Sequence, residues 1–174
     1  MKNNIVLIGM MGCGKTTTGE ELAKIFPEYT YLDIDKEIEK STQQKISDIF
    51  LKHGEPFFRM LETEKIKKIC LNNKKQIIST GGGAFEDEQN RKILKENGIV
   101  IYLKTSPQEI YNRIKSETHR PLLRKDFSIE KIADIMSKRV KNYEKADIII
   151  LTDNKTQQEI AKEIEGVING WDIR

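Results

Sequence analysis

Short runs of apolar residues alternate along the chain with longer segments in which apolar residues recur every three or four positions. A continuous apolar run is typical of a strand buried on both faces, and the longer spacing is typical of an amphipathic helix. The pattern predicts five strands, at residues 5–8, 31–34, 76–79, 99–103 and 147–151. It also predicts eight helices, at about residues 14–26, 35–41, 47–52, 56–71, 87–96, 107–115, 128–145 and 156–169.

The connections between the predicted strands indicate how the strands run. Each connection is long enough for a helix that crosses back over the sheet, and such crossovers join parallel strands. Because buried parallel strands are covered on both faces, the sequence predicts an α/β sandwich with a five-stranded parallel sheet. A chain of 174 residues with no internal repeat or linker is expected to form one domain, residues 1–174.

Residues 116–127 are the least periodic stretch of the chain. This stretch is polar and basic, and Pro121 interrupts it. The sequence therefore predicts a surface loop or a mobile lid at about residues 116–127.

Charge and cysteine content narrow the classes of partner. The chain has 30 Lys and Arg residues and 27 Asp and Glu residues, a net charge of +3, and the basic residues are scattered. This distribution predicts no nucleic-acid partner, and no apolar run is long enough to predict a membrane partner. Cys13 and Cys70 lack the spacing of a disulfide framework or a metal site, which favours a reducing cytoplasm. The predicted strand at residues 5–8 leaves no room for a cleavable signal.

The segment from Gly9 to Thr16, GMMGCGKT, matches the phosphate-loop pattern G-x-x-x-x-G-K-[ST]. It lies directly between a predicted strand and a predicted helix, as a phosphate loop requires. Its backbone N–H groups can face a β-phosphate, Lys15 can reach the β- and γ-phosphate oxygens, and Thr16 can ligate magnesium. The alternative is a glycine-rich turn that only packs. Cys13 is either a filler of this loop or a thiol activated by the positive field of the site.

Asp33 and Asp35 come at the end of the second predicted strand. Strand geometry would place both carboxylates on the same side, and ligands of parallel α/β sheets gather at the carboxyl ends of the strands. Asp33 could then hold magnesium through water, while Asp35 could orient or deprotonate an acceptor hydroxyl. The alternative is that Asp35 caps the following helix. From these residues alone the chain is a phosphotransferase or a nucleotide-binding module.

Five further matches, in chain order, carry a resemblance to a known family. They are Asp33-Ile34-Asp35, Gly54-Glu55-Pro56-Phe57-Phe58-Arg59, Gly81-Gly82-Gly83-Ala84, Arg120-Pro121-Leu122-Leu123, and Arg139 with Tyr143 four residues on. With these motifs the chain resembles the shikimate kinases from end to end. The resemblance implies a three-layer P-loop kinase fold similar to that of nucleoside monophosphate kinases. It also implies ATP-dependent phosphorylation of the 3-hydroxyl of shikimate, a step of chorismate and aromatic amino-acid biosynthesis.

The resemblance implies how shikimate would be held, within a substrate-binding helical region at about residues 35–62. Arg59 and Arg139 would bind the carboxylate, because guanidinium groups suit planar anions. Glu62 would orient Arg59 from one helical turn away. The implied substrate-binding set is Asp35, Phe58, Arg59, Gly81, Gly82, Gly83 and Arg139. Taken singly, Phe58 could be a core residue, the arginines solvated helix residues, and the glycines a flexible connection.

The resemblance also implies a nucleotide site. The implied catalytic residues are Lys15, Asp35 and Arg120, the last being a lid arginine that neutralises charge on the transferring phosphoryl group. Alone, Arg120 could be a solvated loop residue. Magnesium is the implied cofactor, held by Thr16 and, through water, by Asp33. The implied nucleotide-binding set is Gly12, Cys13, Gly14, Lys15, Thr16, Thr17, Arg113, Arg120 and Lys155.

The chain departs from the family pattern at two places. Lys141 stands where many members carry a proline, and Asn154 and Lys155 stand in a region that usually carries arginines, which leaves Arg113 as the residue expected to stack on adenine. Rival functions are another small-acceptor kinase, such as a gluconate or nucleoside monophosphate kinase, and a regulatory nucleotide-binding module without turnover. The expected partners are shikimate and ATP, and the expected state is a cytoplasmic monomer.

Overall fold

The computed structural model describes residues 2–72, 74–115 and 128–171, with Trp171 described by its backbone alone. The stretch expected to form a lid, with Arg120, lies outside the described residues. Five parallel strands form one sheet in the order β2-β3-β1-β4-β5. The strands are β1 (Asn4–Ile8), β2 (Thr30–Asp33), β3 (Gln76–Ser79), β4 (Gly98–Lys104) and β5 (Ile148–Leu151). The five-stranded parallel sheet expected from the apolar runs is confirmed.

Helices cover both faces of this sheet. They are α1 (Lys15–Ile25), α2 (Ile34–Thr42), α3 (Ile46–Cys70), α4 (Glu88–Asn97), α5 (Pro107–Ile114), α6 (Ile129–Tyr143) and α7 (Gln157–Trp171), with a short 3-10 helix at Ala84–Glu86. In the described part of the chain, no helix combines the length and the apolar character that a membrane crossing requires.

The two faces of the sheet bury separate apolar clusters, because successive side chains of a strand point to opposite faces. Val6 and Ile8 of β1 pack with residues of α2, α3 and α4 on one face. Ile5 and Leu7 of the same strand pack with residues of α1 and α7 on the other face. The result is the three-layer arrangement that the sequence predicts, with β1 at its centre.

The start of α2 differs from the sequence expectation. Strand β2 ends at Asp33, and Asp35 lies in the first turn of α2. Strand alternation therefore does not place the two carboxylates on one side. The expectation that Asp35 caps the helix is also wrong, because Asp33 is the N-cap and its carboxylate accepts from the N–H groups of Asp35 (3.0 Å) and Lys36 (3.3 Å).

Helix α3 contains a break at Gly54. The sequence predicts two helices here, at 47–52 and 56–71, and the structure has one helical segment in which Gly54 adopts φ 79° and ψ 172°. This conformation is accessible to glycine and strained for other residues. Pro56 follows at the start of the next turn, where a missing N–H costs little. The break redirects the chain between Phe50 and Phe58.

Candidate active site

A cleft of about 790 Å³ opens at the carboxyl ends of β1, β2 and β3. Two groups of residues predicted from the sequence line it. Gly12, Gly14, Lys15, Thr16, Thr17 and Arg113 form one side. Asp35, Phe58, Arg59, Gly81, Gly82, Gly83 and Arg139 form the other, with Asp33 between the two groups. The fold thus brings the expected phosphate-binding and acceptor-binding residues into one cavity.

The phosphate loop leads from β1 directly into α1. Gly14 is the N-cap of α1 with φ 97°, a left-handed conformation that favours glycine, and no side chain caps the helix. The first N–H groups of an eleven-residue helix therefore remain available for an anion. The Lys15 ammonium lies across the loop, with Nζ 2.8 Å from the Gly9 carbonyl and 3.0 Å from the Met10 carbonyl.

Thr16 and Asp33 join the phosphate loop to the end of β2. The Thr16 hydroxyl donates to Asp33 Oδ2 at 3.2 Å, while Oδ1 of the same carboxylate caps α2. Two hard oxygen ligands are thereby held side by side at the start of α1. The described residues contain no cluster of three or more His, Cys, Asp and Glu side chains around a cation-sized space. Such a sparse pair suits Mg²⁺, which keeps water and substrate phosphates among its ligands.

The Asp35 carboxyl is half-buried in the wall of the cleft. Burial raises its pKa, the negative charge of Asp33 adds to this effect, and the cations of Lys15 and Arg59 oppose it. Its Oδ1 has no hydrogen-bond partner among the described residues. A half-buried carboxylate with an unused acceptor oxygen is suited to receive a hydroxyl from a ligand.

Arg59 is held by two glutamates of its own helix. Its Nη1 lies 2.7 Å from Glu62 Oε2, and its Nε and Nη2 lie 3.1 and 2.9 Å from Glu55 Oε1. The expected contact with Glu62 is therefore confirmed. Glu62 is fully buried, and desolvation raises the pKa of its carboxyl although the Arg59 charge acts in the opposite direction. These contacts fix the guanidinium at the edge of the cleft.

The glycine segment 81–83 lies between the two arginines that the sequence singled out. A Cβ added to Gly83 would come within 2.5 Å of Arg59 Nη2, and one added to Gly82 would lie 3.4 Å from Arg139 Nη1. Arg139 also lies 3.9 Å from the sulfur of Met10 in the phosphate loop. Two cations separated by 80 positions thus converge on one glycine segment.

Phe58 is both a core residue and a wall of the cleft. It is 4% exposed, belongs to the cluster beneath α2 and α3, and packs against Phe50 at a ring-centroid distance of 4.8 Å. The interpretation of Phe58 as a core residue is confirmed, and its role as a wall for the acceptor ring stays a prediction. Phe50 also lines the cleft. Sequence reasoning missed it, because nothing in an apolar helix position distinguishes a cleft-facing phenylalanine from a core one.

The far end of the nucleotide side is organised by Arg113. Its Nη1 donates to the Cys13 carbonyl at 3.1 Å, its Nη2 donates to the Thr152 carbonyl at 2.7 Å, and its Nε pairs with Glu109 at 2.8 Å. Gln157, at the start of α7, lines the cleft here and was not expected from the sequence.

Among the described residues of the expected nucleotide set, two do not line the cleft. Cys13 is fully buried in the apolar cluster beneath α1, in keeping with the loop-filler interpretation. Lys155 forms an ion pair with Glu163 at 2.6 Å. Several polar residues that do line the cleft were not expected as site residues, among them Lys36 and Thr80.

Comparison with known proteins gives one consistent result. The shikimate kinase family model matches residues 11–169. A shikimate kinase of Thermodesulfovibrio yellowstonii is 44% identical over 171 residues, covering 96% of this chain and 98% of the relative. One of Persephonella marina is 43% identical over 165 residues, covering 95% and 98%.

Solved structures agree with the sequence relatives. The shikimate kinase from Acinetobacter baumannii, solved in complex with shikimate, superposes with a TM-score of 0.92 at 35% identity, covering 99% of this chain and 96% of that one. The shikimate kinase of Aquifex aeolicus superposes with a TM-score of 0.82 at 31% identity, covering 98% of each chain. Because both the sequence and the fold match, the chain belongs to the shikimate kinase family.

Proposed function

We propose that this protein transfers the γ-phosphoryl group of ATP to the 3-hydroxyl of shikimate, giving shikimate 3-phosphate and ADP. This is a step in the biosynthesis of chorismate and the aromatic amino acids. The observation that carries the proposal is the shared cleft, in which a phosphate loop with Lys15 faces Asp35, Arg59 and Arg139. Membership of the shikimate kinase family supports the choice of acceptor.

The acceptor half of the cleft matches the two ends of a hydroxylated ring acid. Arg59 and Arg139 flank the glycine segment and are proposed to bind the carboxylate. Asp35 is proposed to receive the reacting hydroxyl at Oδ1 and to take its proton as the oxygen attacks the γ-phosphorus. Phe58 is proposed to form the wall against which the ring lies.

The nucleotide half is proposed to bind ATP through the phosphate loop and its neighbours. The N–H groups at the start of α1 would hold the β-phosphate, and Lys15 would turn from the loop carbonyls to the β- and γ-phosphate oxygens. Arg113 is proposed to lie against the adenine, with Lys155 on the base side. Arg120, outside the described residues, is proposed to contribute a further cation to the phosphoryl group.

Magnesium is the proposed cofactor. Thr16 and Asp33 fit it, because their hydroxyl and carboxylate oxygens lie 3.2 Å apart beside the phosphate loop. Thr16 would bind it directly and Asp33 through water. The ion would neutralise charge on the β- and γ-phosphates. Asp33 also caps α2, so the residue proposed to hold the cation through water also fixes the start of the helix that carries Asp35.

We also propose that the protein acts as a monomer in the cytoplasm. The residues of a single chain are sufficient to line both halves of the cleft. The two cysteines are buried and free, in keeping with a reducing compartment.

The test of this function is ADP release with magnesium and ATP in the presence of shikimate, quinate, gluconate or nucleoside monophosphates. We expect strong stimulation by shikimate alone, because the chain belongs to the shikimate kinase family. Gluconate has no ring and nucleoside monophosphates have no carboxylate. Quinate has both a carboxylate and ring hydroxyls, but its ring is saturated and carries an additional hydroxyl beside the carboxylate, so it is the most stringent comparison. Stimulation by a different acceptor would support a kinase function but would contradict shikimate as the substrate. Equal release of ADP in all samples, independent of the acceptor, would contradict both the small-molecule kinase function and the substrate assignment.

A further inference from the structure

Tyr143 is a fully buried tyrosine directly beneath the acceptor half of the cleft. It is the last residue of α6, one helical turn after Arg139, and its hydroxyl donates a hydrogen bond to the Gly82 carbonyl. Its ring packs against Tyr102 of β4 at a centroid distance of 5.1 Å and an interplanar angle of 34°. Burial raises the pKa of the Tyr143 hydroxyl, so this group remains a hydrogen-bond donor throughout the neutral range.

The Gly82 carbonyl is one end of a rigid unit. The peptide group that joins Gly82 and Gly83 is planar and trans, so its C=O and N–H point in opposite directions. The carbonyl faces Tyr143 beneath the segment, and the Gly83 N–H therefore faces away from Tyr143. Both glycines line the cleft, whereas Tyr143 does not. Neither glycine N–H donates to a residue in the described part of the chain.

A glycine segment needs such an external restraint more than other sequences do. Three successive glycines have the widest conformational freedom, and an unrestrained peptide plane between them could rotate. The surroundings of Gly82 are also close, because a Cβ there would lie 3.3 Å from the Met11 nitrogen and 3.4 Å from Arg139 Nη1. A rotated peptide would present its carbonyl, rather than its N–H, to the space between the two arginines.

We propose that Tyr143 is a positioning residue, whose hydroxyl holds the Gly82–Gly83 peptide so that the Gly83 N–H faces the bound acceptor. The role rests on the proposed shikimate kinase function and deepens it. Because Arg139 and Tyr143 lie four residues apart on α6, the helix places one group in the cleft and the other beneath it. Helix α6 thus positions both the Arg139 guanidinium and, through Tyr143, the Gly82–Gly83 peptide next to it.

The variant Tyr143→Phe tests this role, because it keeps the ring and its packing and removes only the hydroxyl. We expect the KM for shikimate to rise about tenfold, the loss associated with one hydrogen bond, and the KM for ATP to change less than about twofold. The matched control is Tyr102→Phe. Tyr102 is 1% exposed, packs on the same ring, and has no hydrogen bond to the glycine segment among the described residues. The control should leave both KM values unchanged.

Amide spectra of protein labelled with ¹⁵N-glycine provide a second, independent readout. In the unsubstituted protein, shikimate alone should slow hydrogen exchange at the Gly83 amide. In Tyr143→Phe the Gly83 resonance should move or broaden before any ligand is added. An unchanged Gly83 resonance, an unchanged KM for shikimate, or an equal effect of Tyr102→Phe would overturn the proposal. ADP release by the unsubstituted protein tests the kinase function separately. If shikimate stimulates that release but Tyr143→Phe has none of the expected effects, the positioning role of Tyr143 is wrong and the proposed kinase function stands.

Discussion

At the residue scale, Asp35 combines burial with a free acceptor oxygen. Its neighbours are another carboxylate, Asp33, and two cations, Lys15 and Arg59, and the raised pKa shows that burial outweighs the cations. Such an arrangement is costly for folding and useful for chemistry, which is typical of groups that exchange protons with a substrate. The residue is therefore the most informative site for substitution.

We predict that Asp35→Asn lowers kcat by about 10²–10⁴-fold, the range associated with loss of a general base. Binding of ATP should change much less than turnover. In the described part of the chain no hydrogen bond joins Asp35 to the phosphate loop, and an amide would remove only its charge interaction with Lys15. Steady-state kinetics and ATP titration measure the two effects. The control is Glu37→Gln, which removes a carboxylate from the first turn of the same helix but does not line the cleft. Near-normal turnover in Asp35→Asn would contradict the assigned role.

Glu62 gives a prediction about pH. Burial raises its pKa above the ordinary 4.5, so the folded protein binds more protons than the unfolded chain between pH 4.5 and the raised value. Its contribution to stability is therefore greatest at low pH and decreases as the pH rises through that window. We expect the unsubstituted protein to gain stability, relative to Glu62→Gln, as the pH falls from 7 towards 4.5. Urea unfolding at several pH values measures this difference.

The control for Glu62 is Glu55→Gln, which alters the other glutamate bound to Arg59. Glu55 is 61% exposed, so water screens its ion pair with Arg59, and its substitution should change stability by less than about 1 kcal/mol. In addition, Glu62→Gln should raise the KM for shikimate, because Arg59 loses its buried partner. A difference in stability that is constant with pH would argue against a desolvated Glu62.

At the element scale, the break in α3 decides how the acceptor side is built. Gly54 separates the turn that carries Phe50 from the turn that carries Phe58 and Arg59, and all three residues line the cleft. An unbroken helix would send the two parts in one direction. The shape of the acceptor site therefore depends on a backbone conformation that glycine adopts readily at position 54.

We predict that Gly54→Ala destabilises the protein by about 1–3 kcal/mol, the cost of forcing a side chain into a conformation that glycine alone adopts readily. The KM for shikimate should rise with it. Gly166→Ala is the matched control. Gly166 lies within α7, and a Cβ there would meet nothing within 4 Å, so alanine should stabilise the helix by about 0.5–1 kcal/mol. Loss of stability in both variants would mean that glycine conformation is not the cause.

At the scale of the whole molecule, the position of a strand in the sheet determines what its apolar residues contribute. Leu7 of the central strand β1 is fully buried, whereas Leu151 of the edge strand β5 is 61% exposed. We predict that Leu7→Ala lowers the free energy of unfolding by about 2–5 kcal/mol and that Leu151→Ala changes it by less than about 0.5 kcal/mol. Denaturant unfolding of the two variants measures both values. Equal losses would contradict the position of β5 at the edge.

Much of this architecture could be predicted from the chain because it depends on local patterns. Apolar runs gave all five strands, and the glycine and proline near residue 55 gave the break in α3, because backbone preferences act over a few residues. The phosphate loop was also predictable, since its chemistry lies in consecutive residues. The boundary at Asp33 was not predictable. Asp33 both ends β2 and caps α2, and the cap depends on hydrogen bonds that its carboxylate accepts from the N–H groups of Asp35 and Lys36.

The sequence by itself determined the number and the parallel direction of the strands, the phosphate loop and, through ordered motifs, the residue types of the acceptor site, whereas the order of the strands came from the structure. Only the tertiary structure decided which groups meet: Arg59 of α3 and Arg139 of α6 on the glycine segment, Phe50 in the cleft wall, and Tyr143 beneath Gly82. The physical reason is the distance along the chain over which each kind of interaction acts. Local patterns fix backbone conformation, whereas contacts between residues far apart in the chain arise from packing helices on the two faces of one sheet.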